Sequence, residues 1–146
     1  MSIKETDIKP LLRLHLRRDE GVRKFPYKDT VGKLSIGVGR NLDDVGLSDD
    51  EIEYLLNNDI DRHIAEANRE WPWIKDTSAK VRLALYNMAF NLGIPRLKEF
   101  IKMIDALYKH DYARAAEHAL DSKWAKQVGK RADRIAQLYL EASRGD

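Results

Sequence analysis

The spacing of apolar residues divides the chain into a short segment of strand character and a longer helical remainder. Pro10 can open a helix, because a first-turn proline gives up no needed N–H, and leucines then recur until Gly21 offers a stop. Residues 25–39 instead have strand character, with a turn predicted near residues 30–33. Pro26 either weakens the first of these strands or places it at a sheet edge, since it cannot donate to the ladder.

Beyond the strands, the pattern predicts helices as far as the end of the chain. Ser48 followed three residues later by Glu51 is a capping box, and apolar residues on one face continue this helix to about Asn68. Residues 79–92 are apolar nearly all round, which predicts a buried central helix that ends at residues 93–95. We therefore predict an α+β fold with two lobes, in which a long helix joins a small β-containing lobe to a larger helical one.

Composition narrows the functional classes. The 146 residues include 43% hydrophobic and 34% charged side chains, a composition that indicates neither a disordered chain nor a membrane protein. The absence of cysteine excludes disulfides and thiolate metal sites, and the four histidines lack metal-ligand spacing, so no metal is expected. A net charge of +2 is too small to indicate nucleic-acid binding.

Charge is nevertheless unevenly distributed along the chain. Residues 41–61 carry eight acidic side chains and no Lys or Arg, whereas residues 13–33 and 123–134 are basic. Basic ends around an acidic middle could attract a polyanion such as a bacterial cell wall. Ordinary solvated helix faces explain the same distribution equally well.

Two carboxylates and a hydroxyl are grouped in the strand-containing segment. Glu20 stands at the end of the first predicted helix, eight residues separate it from Asp29, and five separate Asp29 from Ser35. Two carboxyls facing each other across a cleft can cleave a glycosidic bond, one protonating the leaving oxygen and the other serving the water. The spacing alone is a weak signal, because Glu20 also suits an exposed helix end and Asp29 suits a hairpin turn.

The surrounding residues make this signal specific. Glu20 is followed by Gly21, residues 27–30 read Tyr-Lys-Asp-Thr, and residues 36–39 read Ile-Gly-Val-Gly. With these motifs the chain resembles the phage-type lysozymes, an endolysin family also known as glycoside hydrolase family 24. The likeness covers nearly the whole chain from Pro10 onward, and continues through Leu55, Asp59, residues 85–90, residues 122–124, Arg131 and Ala132.

Two positions depart from the family pattern. Ser35 stands where the family usually has Thr, and it lacks the methyl group that restrains a threonine side chain. Arg40 stands where family members can place a His that pairs with an acid. A fixed cation there would remove a pH-sensitive contact, although a solvated Arg after a glycine turn is the simpler interpretation.

The resemblance implies a fold and an activity. It implies one lysozyme-like domain over residues 1–146, with a small lobe at about 20–68 and a helical lobe at 69–146 that also takes in an N-terminal helix at about 9–20. The implied activity is that of a muramidase, which hydrolyses the β-1,4 bond between N-acetylmuramic acid and N-acetylglucosamine of peptidoglycan during host cell lysis. No cofactor is implied.

Roles for individual residues follow from the same resemblance. Glu20 would protonate the leaving oxygen, while Asp29 and Ser35 would position and activate water, which favours inversion at the anomeric carbon. Arg131 would support the site by pairing with Glu20 and holding its geometry. The implied substrate-binding residues are Phe90, Asn91, Trp124 and Gln127. Core packing explains Phe90 equally well and Trp124 slightly better, and Asn91 could simply help to end its helix.

The expected setting is phage lysis. Residues 1–5 lack the layout of a signal peptide, so we expect the protein to stay in the host cytoplasm until a holin-like pore lets it reach periplasmic peptidoglycan. We also expect a monomer that does not insert stably into membranes. Three alternatives stay open at this point. They are a lytic transglycosylase, an inactive peptidoglycan-binding protein, and a protein that acts on membranes through its basic helices.

Overall fold

The computed structural model describes the backbone of residues 5–145 and the side chains of residues 7–145. Contacts group the chain into two compact units, the first ending at Glu53 and the second beginning at Tyr54. Helices dominate, and one small antiparallel sheet lies in the first unit. The predicted α+β class is therefore confirmed. In this grouping the N-terminal helix falls with the strands, whereas the sequence placed residues 9–20 with the helical lobe.

The first unit opens with helix α1, Glu5–Glu20. The helix begins five residues before Pro10, so the prediction that Pro10 opens it was wrong. Pro10 is tolerated inside because it forfeits one backbone hydrogen bond close to the N-terminal end. Gly21 ends the helix as predicted: its φ is +77°, and its N–H donates to the carbonyl of Arg17 at 3.1 Å.

Three antiparallel strands follow in the order β1-β2-β3, with β1 at Arg23–Lys28, β2 at Leu34–Gly37 and β3 at Arg40–Asn41. Strand β1 is an edge strand, which confirms the position inferred from Pro26. Its pairing with β2 is irregular between Arg23 and Tyr27. Strand β3 was not predicted, because two residues are too few to produce a periodic pattern.

Helix α2, Asp49–Glu70, contributes residues to both units. The predicted capping box is confirmed, since the backbone N–H of Ser48 donates to Glu51 Oε1 at 2.8 Å and the Glu51 N–H donates to Ser48 Oγ at 3.2 Å. These two bonds satisfy donors that a helix start leaves free. The sequence of the cap thus determines where α2 begins.

The second unit is helical. After a short 3-10 helix at Pro72–Asp76, it comprises α3 (Ala79–Leu92), α4 (Ile94–Leu97), α5 (Ile101–Tyr108), α6 (Tyr112–Leu120), α7 (Lys123–Val128) and α8 (Lys130–Ser143). Polar side chains cap several of these helices: Ser122, for example, accepts from the N–H of Ala125 at 3.1 Å. None of the helices in residues 5–145 combines the length and the apolar character that crossing a membrane requires.

Helix α3 forms the centre of the second unit. It buries Val81, Leu85, Met88 and other apolar residues, and Tyr139 of α8 is fully buried with its hydroxyl 3.5 Å from Met88 Sδ. Burial raises the pKa of Tyr139 well above its usual range. The prediction that α3 is buried nearly all round was too broad, because Leu83 is 60% exposed.

Candidate active site

Glu20 is the last residue of α1, and its side chain lies against the turn between β2 and β3. A β-carbon built on Gly39 would lie 2.9 Å from Glu20 Oε2 and 3.2 Å from its Cδ. Gly39 also has a φ of +66°, a backbone conformation that other residues rarely adopt. The glycine of the Ile-Gly-Val-Gly motif therefore provides the space that the Glu20 carboxylate occupies.

Asp29 organises the turn between β1 and β2. Its Oδ1 accepts the backbone N–H groups of Val31 at 3.0 Å and Lys33 at 2.8 Å. The Asp29 backbone completes the turn, because its N–H donates to the Lys33 carbonyl and its carbonyl accepts from Gly32. The turn-forming role considered for Asp29 is thus real. It also holds the carboxylate in one orientation, since both bonds use the same oxygen.

Ser35 lies on the central strand, opposite Tyr27 on one side and Asn41 on the other. Only 3% of its surface is exposed, which makes it one of the few buried polar residues among residues 7–145. Such a position on a paired strand restricts the backbone that carries the hydroxyl.

Arg40 makes the best-defined ion pair of the first unit. Its two terminal nitrogens donate to the two carboxylate oxygens of Glu51 at 2.8 and 2.6 Å, and one also donates to the Gly46 carbonyl at 3.0 Å. The hydrogen bond from Arg40, followed by that from the Ser48 N–H, lowers the Glu51 pKa to about 2, and the same pair raises the pKa of Arg40. Arg40 is thus an ion-paired cation whose side chain keeps about a third of its surface exposed.

In the second unit the structure joins two of the predicted substrate-binding residues. The indole N–H of Trp124 donates to Asn91 Oδ1 at 2.8 Å. Trp124 is only 4% exposed, and its ring meets Phe100 edge-on at 6.0 Å between ring centres. The Trp124 ring therefore packs in the core, as the alternative interpretation proposed. Its indole N–H holds the side-chain amide of Asn91 in place.

A cavity of about 640 Å³ lies beside this pair. Trp124, Gln127 and Phe100 line it, together with charged residues of α4, α5 and α7 and of the segments between the helices. Two of the four residues predicted to bind substrate thus share one cavity of the second unit.

Phe90 lies elsewhere on the second unit, 40% exposed, with its ring 4.9 Å from that of His63. It lines a mostly apolar cavity of about 340 Å³. Arg131 lines the same cavity, and its Nε donates to Asn87 Oδ1 at 3.0 Å. Asn87 was not predicted, because 44 residues separate it from Arg131. The predicted pairing of Arg131 with Glu20 stays a prediction.

Comparison with known proteins identifies the family. The family model "Phage lysozyme" matches residues 17–138, which include Glu20, Asp29 and Ser35. The chain belongs to the phage lysozyme family. This confirms the resemblance that the motifs indicated, and it supports a lysozyme-like, glycan-cleaving enzyme.

The relatives of this phage lysozyme family member differ in length and in the organism that they come from. A probable T4-type lysozyme of Dictyostelium discoideum is 26% identical over 85% of this chain and 90% of its own. The pre-baseplate central spike protein of Enterobacteria phage T4 is 27% identical over 86% of this chain, but the chain spans only 27% of that protein. A SAR-endolysin of Bacteriophage PS119 is 38% identical over 51% of this chain and 46% of its own.

Proposed function

We propose that this protein is an endolysin muramidase that hydrolyses the β-1,4 bond between N-acetylmuramic acid and N-acetylglucosamine of bacterial peptidoglycan. Glu20 protonates the leaving oxygen, and Asp29 and Ser35 position and activate the attacking water. The family supports glycan cleavage. The observation that carries the finer assignment is the close approach of the Glu20 carboxylate to Gly39, a glycine of the motif in which the chain resembles the family.

The fixed orientation of Asp29 supports its part in this mechanism. Backbone N–H groups occupy Oδ1, so Oδ2 is the oxygen through which Asp29 serves the water. Ser35 has both a donor and an acceptor on its hydroxyl, which suits it to hold the same water. A held water attacking opposite the leaving group gives inversion, and that outcome needs about 6.5–9.5 Å between the carboxyls.

Residues of the second unit bind the substrate in this proposal. Asn91, with its carbonyl oxygen held by Trp124, presents its amide N–H₂ to the N-acetyl and hydroxyl groups of the sugar. Phe90 offers an exposed ring, and Gln127 a second amide. Arg131 holds Glu20 in place by pairing with it. We propose that no metal or cofactor takes part.

In its setting the protein acts as a monomer during lysis. It resides in the host cytoplasm until a holin-like pore gives it access to periplasmic peptidoglycan. The similarity to a protein named as an endolysin supports the role in lysis. Lysis of whole cells from outside and from inside, with and without a co-expressed pore, tests it.

Digestion of purified peptidoglycan tests the activity. Wild type, Glu20→Gln and the control Glu53→Gln, an exposed acid on α2, are incubated with the wall and their products are resolved by mass spectrometry. Reducing N-acetylmuramic acid ends from wild type and Glu53→Gln, but not from Glu20→Gln, support the proposal. Anhydro sugars would instead identify a lytic transglycosylase, and no release by folded wild type would contradict enzymatic function.

The stereochemical part needs a separate measurement. Proton NMR recorded in the first minutes of digestion distinguishes the α from the β anomer of the new reducing end. An initial excess of the α anomer from the β-linked substrate supports inversion. An initial excess of the β anomer would show retention and would remove the water-holding role from Asp29 and Ser35.

A further inference from the structure

An aromatic pocket on the second unit has no part in the mechanism above. It is a cavity of about 330 Å³ formed where the end of α2 and the 3-10 helix meet α5. Its lining residues are Trp71, Trp73, Lys98, Ile101, Ile104, Asp105 and Tyr108. We call this set the aromatic pocket.

The rings of the aromatic pocket are arranged at an angle and partly open to solvent. Trp73 and Tyr108 meet edge to face, with ring centres 5.7 Å apart and planes at 68°. Tyr108 is 59% exposed and Ile101 is 74% exposed, although neither has a charged group that would draw it outward. Large apolar side chains left exposed around a concavity indicate a binding site more than a folding requirement.

The charges at the rim indicate a neutral ligand. Lys98 is paired with Glu70 at 3.2 Å, and Asp105 is paired with Lys109 at 3.0 Å. The pocket thus has one positive and one negative lining residue, each already matched by a neighbour. A nucleotide, a phosphate or an acidic peptide would find no net attraction here, whereas hydroxyl and amide groups can bond to both signs.

A pyranose ring fits this combination, since its C–H faces pack on aromatic rings while its hydroxyls reach polar groups at the edge. The position of the pocket supports the same ligand. Ile101 lines both the aromatic pocket and the 640 Å³ cavity that holds Trp124 and Gln127. A chain of sugars bound in that cavity can therefore continue past Ile101 onto Tyr108.

We propose that the aromatic pocket is a second, non-catalytic site for the N-acetylhexosamine units of a glycan chain. The choice of glycan rests on the proposed function, because the same polymer would occupy both cavities. Binding at this site keeps the enzyme on an insoluble strand between successive cleavages. Its removal should therefore weaken wall binding without changing the chemistry of a short, soluble substrate.

NMR of the tryptophan side chains tests the site directly, because the chain has three tryptophans and hence three indole N–H signals. Full-length Glu20→Gln protein is titrated with a soluble tetramer of β-1,4-linked N-acetylglucosamine, which it would not consume. We expect saturable shifts of the Trp71 and Trp73 signals. Tyr108→Ala should weaken this binding about two- to tenfold, the range that loss of one aromatic contact gives.

Two control variants separate stacking from folding. Tyr108→Phe keeps the ring and should bind like the parent protein. Tyr54→Ala removes a tyrosine that is 70% exposed on α2 and does not line the pocket, so it should have no effect. A reduced affinity in Tyr54→Ala equal to that in Tyr108→Ala would contradict the proposal.

The remaining outcomes are decisive as well. Unshifted Trp71 and Trp73 signals at millimolar sugar, or a Tyr108→Ala variant that binds as the parent does, would overturn the site. Shifts with benzyl alcohol but not with the oligosaccharide would make it an apolar docking pocket and would also overturn it. Hydrolysis by wild-type protein is assayed separately on soluble peptidoglycan fragments, so failure of the proposed function is recognised independently.

Discussion

The carboxylate of Glu20 rests on the backbone of Gly39, at the distance where a single methyl group would displace it. The β-carbon of an alanine there would lie 2.9 Å from Oε2, closer than such atoms are normally found. The end of α1 and the turn before β3 therefore determine together where this carboxylate lies. A side chain added at residue 39 would therefore displace the proposed general acid.

Gly39→Ala should reduce wall lysis by about 10- to 100-fold, because small displacements of a reacting group have effects of that size. It should also lower stability by about 1–2 kcal/mol, since residue 39 has a positive φ. Turbidity clearing of wall suspensions and urea unfolding measure the two effects.

Gly37→Ala is the matched control for this prediction. Gly37 has a φ of +70°, yet a β-carbon on it would meet nothing within 4 Å. It should lose similar stability while keeping most of its lytic activity. An equal loss of activity in both variants would show that backbone strain, and not contact with Glu20, is responsible.

Substitutions at Asp29 should separate its turn role from its chemistry. Asp29→Asn keeps a carbonyl oxygen for the N–H groups of Val31 and Lys33, so its unfolding free energy should stay within about 1 kcal/mol of wild type. Asp29→Ala leaves both donors without that acceptor and should lose about 1–3 kcal/mol. If Asp29 serves the water, both variants should lose lytic activity to a similar extent; full activity in Asp29→Asn would leave the turn as its only role.

The pair of Arg40 and Glu51 should make stability depend on pH in the acid range. The folded-state pKa of Glu51 is about 2, below its ordinary value of 4.5. The contribution of the ionised Glu51 side chain to folding stability is therefore complete above about pH 4.5, and it is lost as the pH falls toward 2. Thermal midpoints of wild type and Glu51→Gln should differ most near neutral pH and converge near pH 2.

Glu53→Gln provides the control for the acid-range experiment, because Glu53 is an exposed acid on the same helix turn. Its midpoint should follow that of wild type at every pH. A gap between wild type and Glu51→Gln that stays constant from pH 6 to pH 2 would show that the carboxylate charge is not what stabilises this pair.

Ser35 should respond differently to loss of its hydroxyl and to gain of a methyl group. Ser35→Ala keeps the fold of the central strand but removes the group that would hold the water, so the rate of peptidoglycan hydrolysis should fall by at least about tenfold. Ser35→Thr retains the hydroxyl and adds β-branching, which suits a strand. Wild-type activity in Ser35→Ala, measured by release of reducing ends, would exclude the proposed role.

Features that depend on neighbouring residues could be predicted from the sequence. The capping box of Ser48 and Glu51, the stop at Gly21 and the edge position that Pro26 imposes are all local. Each follows from which backbone groups lack partners within a few residues. The predicted start of α1 was wrong because a proline can either begin a helix or lie within it near its N-terminal end. The proline alone does not show which of the two applies.

The candidate site was less accessible to this reasoning. Glu51 could be recognised as a cap but not as the partner of Arg40, which lies 11 residues away on another element. Asn91 and Trp124 are 33 residues apart, and their bond depends on how α3 and α7 pack. Side-chain partners of this kind are determined by tertiary packing, which no periodicity records.

The two outer strands of the sheet have a consequence for behaviour at high concentration. Strand β1 carries Pro26, which has no N–H to offer a neighbouring chain, together with the cations Arg23, Lys24 and Lys28, while β3 is only two residues long. Neither edge strand offers a second molecule a continuous row of free backbone N–H and C=O groups with which another strand could pair. Joining of crowded molecules sheet to sheet into fibrils is therefore disfavoured.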